Sequence, residues 1–118
     1  MKIAVYQAQT GIDPEANARD LVAAVEEAAA GGAKMLFTPE MSGLLDRDRA
    51  RAGRHLHFES DDPVLAAVRT AAAKAGIWVH LGSLALLDTD GDMLVNRGFV
   101  IDASGEIRAR YDKIHLFD

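Results

Sequence analysis

The 118-residue sequence contains no cysteine. It therefore has no disulfide framework and no thiolate metal site. Long apolar runs are also missing, because none approaches the roughly 20 residues of a membrane span. The N-terminus enters a strand pattern directly, without the apolar stretch and cleavage site of a signal peptide. We therefore expect a cytoplasmic protein with no membrane partner.

Positive charge is scarce: 13 Lys and Arg stand against 18 Asp and Glu, for a formal net charge of −5. Nucleic-acid binding needs a net basic face, so we expect no nucleic-acid partner. Four arginines lie between positions 47 and 54, but aspartates at 46 and 48 interleave with them. This pattern is typical of a solvated loop. With 49% hydrophobic residues, the chain has the composition and length of one globular domain.

The hydrophobic pattern predicts an α/β fold. Helix starts at Asp13-Pro14 and Asp62-Pro63 combine a capping carboxylate with proline at the first helical position. Strands alternate with helices in the first half, which favours parallel pairing, whereas hairpins in the second half favour antiparallel pairing. We predict a mixed sheet with helices on one face. The predicted strands are 2–8, 35–38, 77–87, 94–102 and 106–111, and the helices end at Gly31-Gly32 and Gly76.

Glu40 is the first candidate for chemistry. It follows the apolar run Leu36-Phe37-Thr38-Pro39, where Pro39 ends the strand ladder. The carboxyl end of a strand is where open α/β sheets place their ligands. Burial beside Phe37 would raise the pKa of Glu40 towards that of a general base. A surface glutamate in a loop fits this position equally well.

Lys113 is the second candidate. If the strand period continues, Ile107, Ala109, Tyr111 and Lys113 share one face of the last strand, and Arg108, Arg110 and Asp112 take the other. A lysine on this face is either partly buried or at the end of the sheet. It could place a positive charge beside the Glu40 carboxylate, which suits acyl transfer at an amide, or it could be a strand-end lysine whose amine reaches solvent.

The remaining polar residues predict no further site. His55 and His57 have a metal-like spacing but no third ligand nearby, so we expect no metal site. There is no Gly-rich phosphate loop and no Gly-x-Ser-x-Gly motif, and we expect no cofactor. We interpret His115 as a structural histidine and His80 as a core residue. Asn17 and Asn96 are expected to bond backbone, and Gly82-Ser83 to form a bulge.

Several segments together resemble the nitrilase, or carbon–nitrogen hydrolase, superfamily. Their order and spacing carry the resemblance along the whole chain. The final Lys-x-His-Leu-Phe-Asp is most similar to the branch of omega-amidases and deaminated-glutathione amidases. The segments are Ile3 to Gln7, Asn17, Phe37-Thr38-Pro39-Glu40, Leu81-Gly82-Ser83, Asn96 to Asp102, Gly105-Glu106-Ile107 and Tyr111 to Asp118.

The resemblance implies an α-β-β-α sandwich that assembles as a homo-oligomer. It also implies a Glu-Lys-Cys site that hydrolyses a small carboxylate-bearing amide or, less in keeping with the branch, a nitrile. Glu40 would be the base and Lys113 the oxyanion partner. The family's cysteine and a second glutamate follow the Lys-x-His-Leu segment, which here is followed only by Phe117-Asp118. We therefore expect residues 1–118 to be a partial, N-terminal domain, truncated at the C-terminal end and inactive alone.

Two other functions remain open. A non-catalytic binding or assembly module built on half of this fold would explain the missing cysteine. A receiver-type signalling domain fits the size, but the acidic pair expected after its first strand is here Gln7-Ala8-Gln9. Arg51, Arg54 or Arg97 could meet a substrate carboxylate, and the sequence does not rank them.

Overall fold

The described part of the computed structural model comprises residues 2–5, 14–38, 59–87 and 94–113. These residues form five strands, two α-helices and one short 3-10 turn. In chain order they are β1 (Ile3–Val5), α1 (Pro14–Ala30), β2 (Met35–Phe37), the 3-10 turn (Glu59–Asp61), α2 (Pro63–Ala75), β3 (Trp78–Leu87), β4 (Leu94–Ile101) and β5 (Ile107–Lys113).

The strands form one mixed sheet in the order β1-β2-β3-β4-β5. Strands β1, β2 and β3 are parallel, and β3, β4 and β5 are joined by antiparallel pairing. This confirms the α/β fold predicted from the sequence. Because two antiparallel steps restore the original direction, β5 runs the same way as β2. The carboxyl ends of β2 and β5 therefore lie at the same end of the sheet.

Both ends of α2 follow the sequence signals. The Asp62 carboxylate accepts a hydrogen bond of 2.8 Å from the Leu65 amide and caps the helix. At the other end Gly76 has a φ of 71°, and its amide donates to the Ala72 carbonyl. A residue without a side chain adopts this left-handed conformation at little cost. The predicted cap at Asp13 lies outside the described residues.

The helices cover one face of the sheet and bury the core against it. The least exposed side chains include Leu21 and Val25 of α1, Val68 of α2 and Phe99 of β4. Each such side chain contributes roughly 1.5–3 kcal/mol through removal from water. The buried residues of each helix recur at helical spacing, so that one face of each helix packs against the sheet. Neither helix, among those the structure describes, is long and apolar enough to cross a membrane.

Two bulges interrupt the antiparallel pairing. In β3 the register jumps from Leu81 to Leu84, so that Gly82 and Ser83 oppose Gly98 alone. This confirms the bulge predicted at Gly82-Ser83. In the β4–β5 pair the register jumps near Ile101.

The second bulge corrects one prediction about β5. Ile107 was expected on the face of Ala109 and Tyr111, but it pairs with Ile101 and packs against the core. The extra residue at the bulge reverses the alternation of side chains at that point. Beyond the bulge the predicted alternation holds: Ala109 and Tyr111 lie on one face of the sheet, and Arg110 lies on the other.

The face opposite the helices is apolar and open. Ile3 is 51% exposed, Val5 67%, Trp78 39% and Tyr111 38%. All four side chains point away from α1 and α2, since the residues that alternate with them face the core. A sheet face exposed to water ordinarily carries polar side chains at such positions.

Candidate functional site

The two predicted catalytic residues lie at the margins of the described structure. Lys113 is the last residue of β5, and its backbone pairs with Asn96, which in turn pairs with Ala85 of β3. Glu40 and the side chain of Lys113 lie outside the described residues. Their convergence therefore stays a prediction, whereas Thr38 and Tyr111, each two residues earlier, lie within the described residues.

Thr38 attaches the end of β2 to β3. Its amide donates to the His80 carbonyl at 2.9 Å. Its hydroxyl donates to the same carbonyl at 3.3 Å and accepts from the Gly82 amide at 3.1 Å. Thr38 is only 7% exposed, so these bonds are shielded from competing water. They hold the backbone at the residue that precedes Pro39-Glu40.

Tyr111 reaches from β5 across β4 to β3. Its hydroxyl lies 2.8 Å from His80 Nε2 and donates to the Gly82 carbonyl at 3.2 Å. The His80 and Tyr111 rings are stacked, with centroids 5.8 Å apart. Gly98 lies beneath the Tyr111 ring, where a Cβ atom would come within 2.2 Å of Cζ. The missing side chain at Gly98 is what allows the ring to cross β4.

The β3 bulge explains why these two hydroxyls converge. Gly82 has no Cα partner in β4, and it is buried. Buried backbone amides and carbonyls must find other partners when a ladder is interrupted. Thr38 accepts from the amide of Gly82, and Tyr111 donates to its carbonyl. Residues 80–82, which we call the β3 anchor, therefore bind residues from both β2 and β5.

The structure corrects the interpretation of His80 as a core residue. Its side chain is half-buried on the open face of the sheet, 5.5 Å from Phe37 between ring centroids. A tyrosine hydroxyl has one proton. When the Tyr111 hydroxyl donates its proton to the Gly82 carbonyl, the Tyr111 oxygen accepts a hydrogen bond from His80 Nε2. Burial raises the pKa of Tyr111 above its usual value.

An ion-pair cluster occupies the helix side of the same end of the sheet. Arg97 donates to both Asp112 carboxylate oxygens, at 2.6 and 3.1 Å. Glu59, in the 3-10 turn before α2, accepts from Arg97 at 3.3 Å and from Arg110 at 3.0 Å. The hydrogen bond with Asp112 raises the pKa of Arg97, and the same bond lowers the pKa of Asp112.

This cluster separates Arg97 from the candidate site. Arg97 alternates with Gly98 along β4 and lies on the face of Phe99, towards the helices. Its guanidinium is engaged by Asp112 and Glu59, so it does not lie on the open face as a receptor for a substrate carboxylate. The other two candidates, Arg51 and Arg54, lie outside the described residues.

Other sequence candidates are distributed as follows. His55, His57 and His115 lie outside the described residues. In the ranges that the structure describes, no three His, Asp or Glu side chains are grouped so that they could hold a metal ion. The sequence assigned no role to Thr38. No local signal could have identified it as a tether, because its partners lie 42 and 44 positions further along the chain.

The arrangement suits a site built at the end of a rigid sheet. The side chains of Thr38 and Tyr111 fix the ends of β2 and β5 to the β3 anchor. Strand ends fixed in this way can hold a carboxylate and an ammonium at a set separation.

Sequence comparisons identify relatives along the whole chain. The family model for carbon–nitrogen hydrolases matches residues 2–118. A deaminated glutathione amidase of Yersinia enterocolitica is 33% identical over 106 residues, which cover 86% of this chain and 37% of that protein. The NitFhit fusion protein of Drosophila melanogaster is 29% identical, over 98% of this chain and 25% of its own length. The chain thus spans about a quarter to two-fifths of the length of these curated relatives.

Structure comparisons agree with this result. The crystal structure of Caenorhabditis elegans NitFhit superposes with a TM-score of 0.82 at 30% identity, covering 98% of this chain and 28% of the other. An amidase from a Nesterenkonia species superposes with a TM-score of 0.80 at 26% identity, covering 100% and 46%. The match of the family model over nearly all residues, together with these neighbours, shows that the chain belongs to the carbon–nitrogen hydrolase family.

Proposed function

We propose that the protein containing these residues hydrolyses a small amide that carries a carboxylate. In this proposal Glu40 is the general base and Lys113 stabilises the oxyanion. The nucleophile is a cysteine outside the 118 residues, which contain none. Family membership supports carbon–nitrogen bond hydrolysis in general, and the assignment of residues and substrate is our own.

The observation that carries the proposal is the register of the sheet. Strands β2 and β5 run in the same direction and finish at the same end of the sheet. Phe37 of β2 is level with His80 of β3, and Lys113 is level with Ala85. Glu40 follows Phe37 by three residues, so an extended chain would bring it close to the level of Lys113. This juxtaposition favours a base and a cation at one site.

The proposed chemistry proceeds in two steps. Glu40 accepts the thiol proton, and the thiolate attacks the amide carbon. The Lys113 ammonium stabilises the oxyanion of the tetrahedral intermediate. As the carbon–nitrogen bond breaks, Glu40 returns the proton to the nitrogen. Ammonia departs, and the acyl group remains bound to the cysteine as a thioester. Glu40 then takes a proton from water, whose oxygen attacks the thioester. Glu40 returns this proton to the sulfur as the carbon–sulfur bond breaks, which releases the carboxylic acid and the thiol.

The substrate class rests on named relatives. The Nesterenkonia amidase has been crystallised with acrylamide added at its active-site cysteine and, as another variant, with butyramide. Both ligands are small primary amides. The Yersinia relative is named for deaminated glutathione, a peptide-like amide with carboxylate groups. The amide in our proposal comes from the ligands of the Nesterenkonia amidase, and the carboxylate comes from the name of the Yersinia relative.

Ammonia release by the complete protein tests the catalytic residues. We expect Glu40→Gln and Lys113→Ala each to lower kcat by at least about 100-fold, since each removes a group that acts in the transition state. Glu26→Gln and Lys74→Ala are matched controls on exposed helix positions and should retain full activity. Activity within threefold of wild type in either site variant would refute the role of that residue.

A matched pair of substrates tests the carboxylate. Succinamate and butyramide have the same chain length, and the carboxylate of the first replaces the methyl group of the second. We expect kcat/KM to be at least about tenfold higher for succinamate, the effect of one well-placed charged hydrogen bond. Equal kcat/KM values for the two substrates would support amide hydrolysis but would refute the preference for a carboxylate. Butyronitrile in the same assay would reveal nitrile hydrolysis.

The open apolar face supports a second candidate, a non-catalytic assembly module. The exposed Ile3, Val5 and Trp78 side chains would be covered by a partner chain. This candidate predicts a stable complex of the protein in its natural length and no ammonia release from any amide. Release that depends on Glu40 would exclude it.

A further inference from the structure

We infer that Thr38 and Tyr111 are positioning residues, which set the separation of Glu40 and Lys113 by binding one shared anchor in β3. Each lies two residues before the catalytic residue that it positions. The inference rests on the proposed function, because it assigns roles to residues that act through Glu40 and Lys113.

The need for such an anchor follows from the strand order. Strands β2 and β5 are separated by β3 and β4, which places their backbones about 14 Å apart at the usual spacing of about 4.8 Å per strand. Their relative position would otherwise depend on the twist of three successive strand pairs. In addition, β2 has only three residues, Met35–Phe37, so its ladder with β3 holds its end weakly.

The β3 anchor provides a direct link between the two strands. Thr38 makes three hydrogen bonds to it, at 2.9, 3.3 and 3.1 Å. Tyr111 makes two contacts with it, at 2.8 and 3.2 Å. Gly82 takes part in both sets, through its amide with Thr38 and its carbonyl with Tyr111. A displacement of either strand end therefore has to break bonds to the same residue.

Local geometry passes each constraint on to the catalytic residue. In β5, side chains two positions apart share a face, so the register of Tyr111 fixes that of the Lys113 backbone. After Thr38, Pro39 has a restricted φ and removes one degree of freedom before Glu40. A shift of about 1 Å in such groups can lower the rate of the chemical step by up to about 100-fold.

The test compares hydroxyl deletions that preserve side-chain shape. Thr38→Val and Tyr111→Phe each remove one hydroxyl group, and Thr38→Ser restores the first. Thr70→Val is the matched control, since the Thr70 hydroxyl donates to the Ala66 carbonyl on the exposed side of α2. For each variant of the complete protein, kcat and KM for ammonia release are measured per folded molecule.

We expect each deletion to lower kcat about tenfold, with KM within about twofold of wild type. Thr38→Ser should recover at least half of the wild-type kcat, and Thr70→Val should match wild type. Because both hydroxyl groups act through one anchor, the double variant should lose about 10- to 20-fold and not the roughly 100-fold of independent effects.

The outcomes separate this inference from the proposed function. If Glu40→Gln and Lys113→Ala are inactive but both hydroxyl deletions keep kcat within twofold, the positioning role is overturned. A double variant that loses the full product of the single effects overturns the shared anchor. A rise in KM with kcat unchanged overturns positioning as well.

If instead Glu40→Gln and Lys113→Ala remain active, the proposed function fails, and amide hydrogen exchange still tests the anchor. The Gly82 amide should then exchange at least about tenfold faster in Thr38→Val than in wild type, because its acceptor has been removed. Unchanged exchange would overturn the anchor itself.

Discussion

Substitution of Gly98 by alanine should displace the Tyr111 ring from β3. A Cβ atom at Gly98 would lie 2.2 Å from Cζ and 2.5 Å from the hydroxyl oxygen of Tyr111. Non-bonded carbon atoms in contact are about 3.5–4.0 Å apart, so a movement of more than about 1 Å is required. The backbone of Gly98 is held between β3 and β5, whereas the ring is the far end of a side chain. The ring will therefore move.

The energetic cost follows from the contacts that the ring loses. Its hydroxyl contacts His80 at 2.8 Å and Gly82 at 3.2 Å. At about 0.5–1.5 kcal/mol for each hydrogen bond, their loss destabilises the protein by about 1–3 kcal/mol. Alanine restricts the unfolded chain and recovers about 0.4–1 kcal/mol. We expect a net loss of about 1–2 kcal/mol in the free energy of unfolding.

A double-mutant cycle isolates this mechanism. Gly98→Ala is measured by urea unfolding of the complete protein, both in the wild type and in Tyr111→Ala. Without the ring the added methyl group meets no obstacle from Tyr111, so the same substitution should become neutral or stabilise by a few tenths of a kcal/mol. Gly31→Ala is a control, because a Cβ atom there would lie 3.5 Å from its nearest neighbour. Equal destabilisation by Gly98→Ala in both backgrounds would refute the reasoning.

Three further predictions concern the fold and its charges. Asp62→Ala should lower the free energy of unfolding by about 0.5–2 kcal/mol, because the α2 cap is lost. Asp62→Asn should lower it less, because asparagine can also cap a helix. Equal losses for the two variants in thermal unfolding would contradict the cap. Gly105→Ala should destabilise the protein by at least about 1 kcal/mol, because φ at this position is +82° and a Cβ atom would lie 2.7 Å from the Arg69 carbonyl oxygen. An unchanged melting temperature of the variant would refute this prediction. Arg97→Gln should raise the pKa of Asp112 towards the ordinary value of an aspartate, measured by carboxyl NMR titration. Because that pKa is lowered in the folded state, the ion pair stabilises the fold above about pH 4. This stabilisation is lost as pH falls through the lowered pKa of Asp112. The free energy of unfolding of the variant should therefore fall less between neutral and acid pH than that of the wild type.

The helices and the mixed pairing of the sheet could be predicted because local signals determine them. Asp62-Pro63 and Gly76 mark the ends of α2 through capping and a left-handed conformation, and neither depends on distant residues. The same holds for the bulge at Gly82-Ser83, where a glycine interrupts an apolar run. Parallel and antiparallel pairing followed from the alternation of elements, which constrains the connections.

The roles of His80 and Ile107 could not be predicted, because they depend on partners distant in sequence. An apolar strand pattern does not distinguish a histidine facing the core from one facing the open side, and the bond from Tyr111 decides between them. The face of Ile107 depends on a bulge whose position is set by pairing with β4. Thr38 acts through a hydroxyl that meets an amide 44 positions further along the chain. Such contacts arise only once the sheet has formed.

The polypeptide 1–118 should self-associate when it is produced alone. The open face of its sheet exposes 51% of Ile3, 67% of Val5 and 39% of Trp78, and β1 lies at one edge of the described sheet. An apolar face beside an edge strand favours pairing with other chains. Sedimentation at micromolar concentration should therefore show oligomers or aggregates. Val5→Lys should reduce them, because it places a charge on the edge strand without altering the helix-covered core. A monodisperse monomer of the unsubstituted polypeptide would show that this face needs no covering layer, and the half-sandwich interpretation would then be wrong.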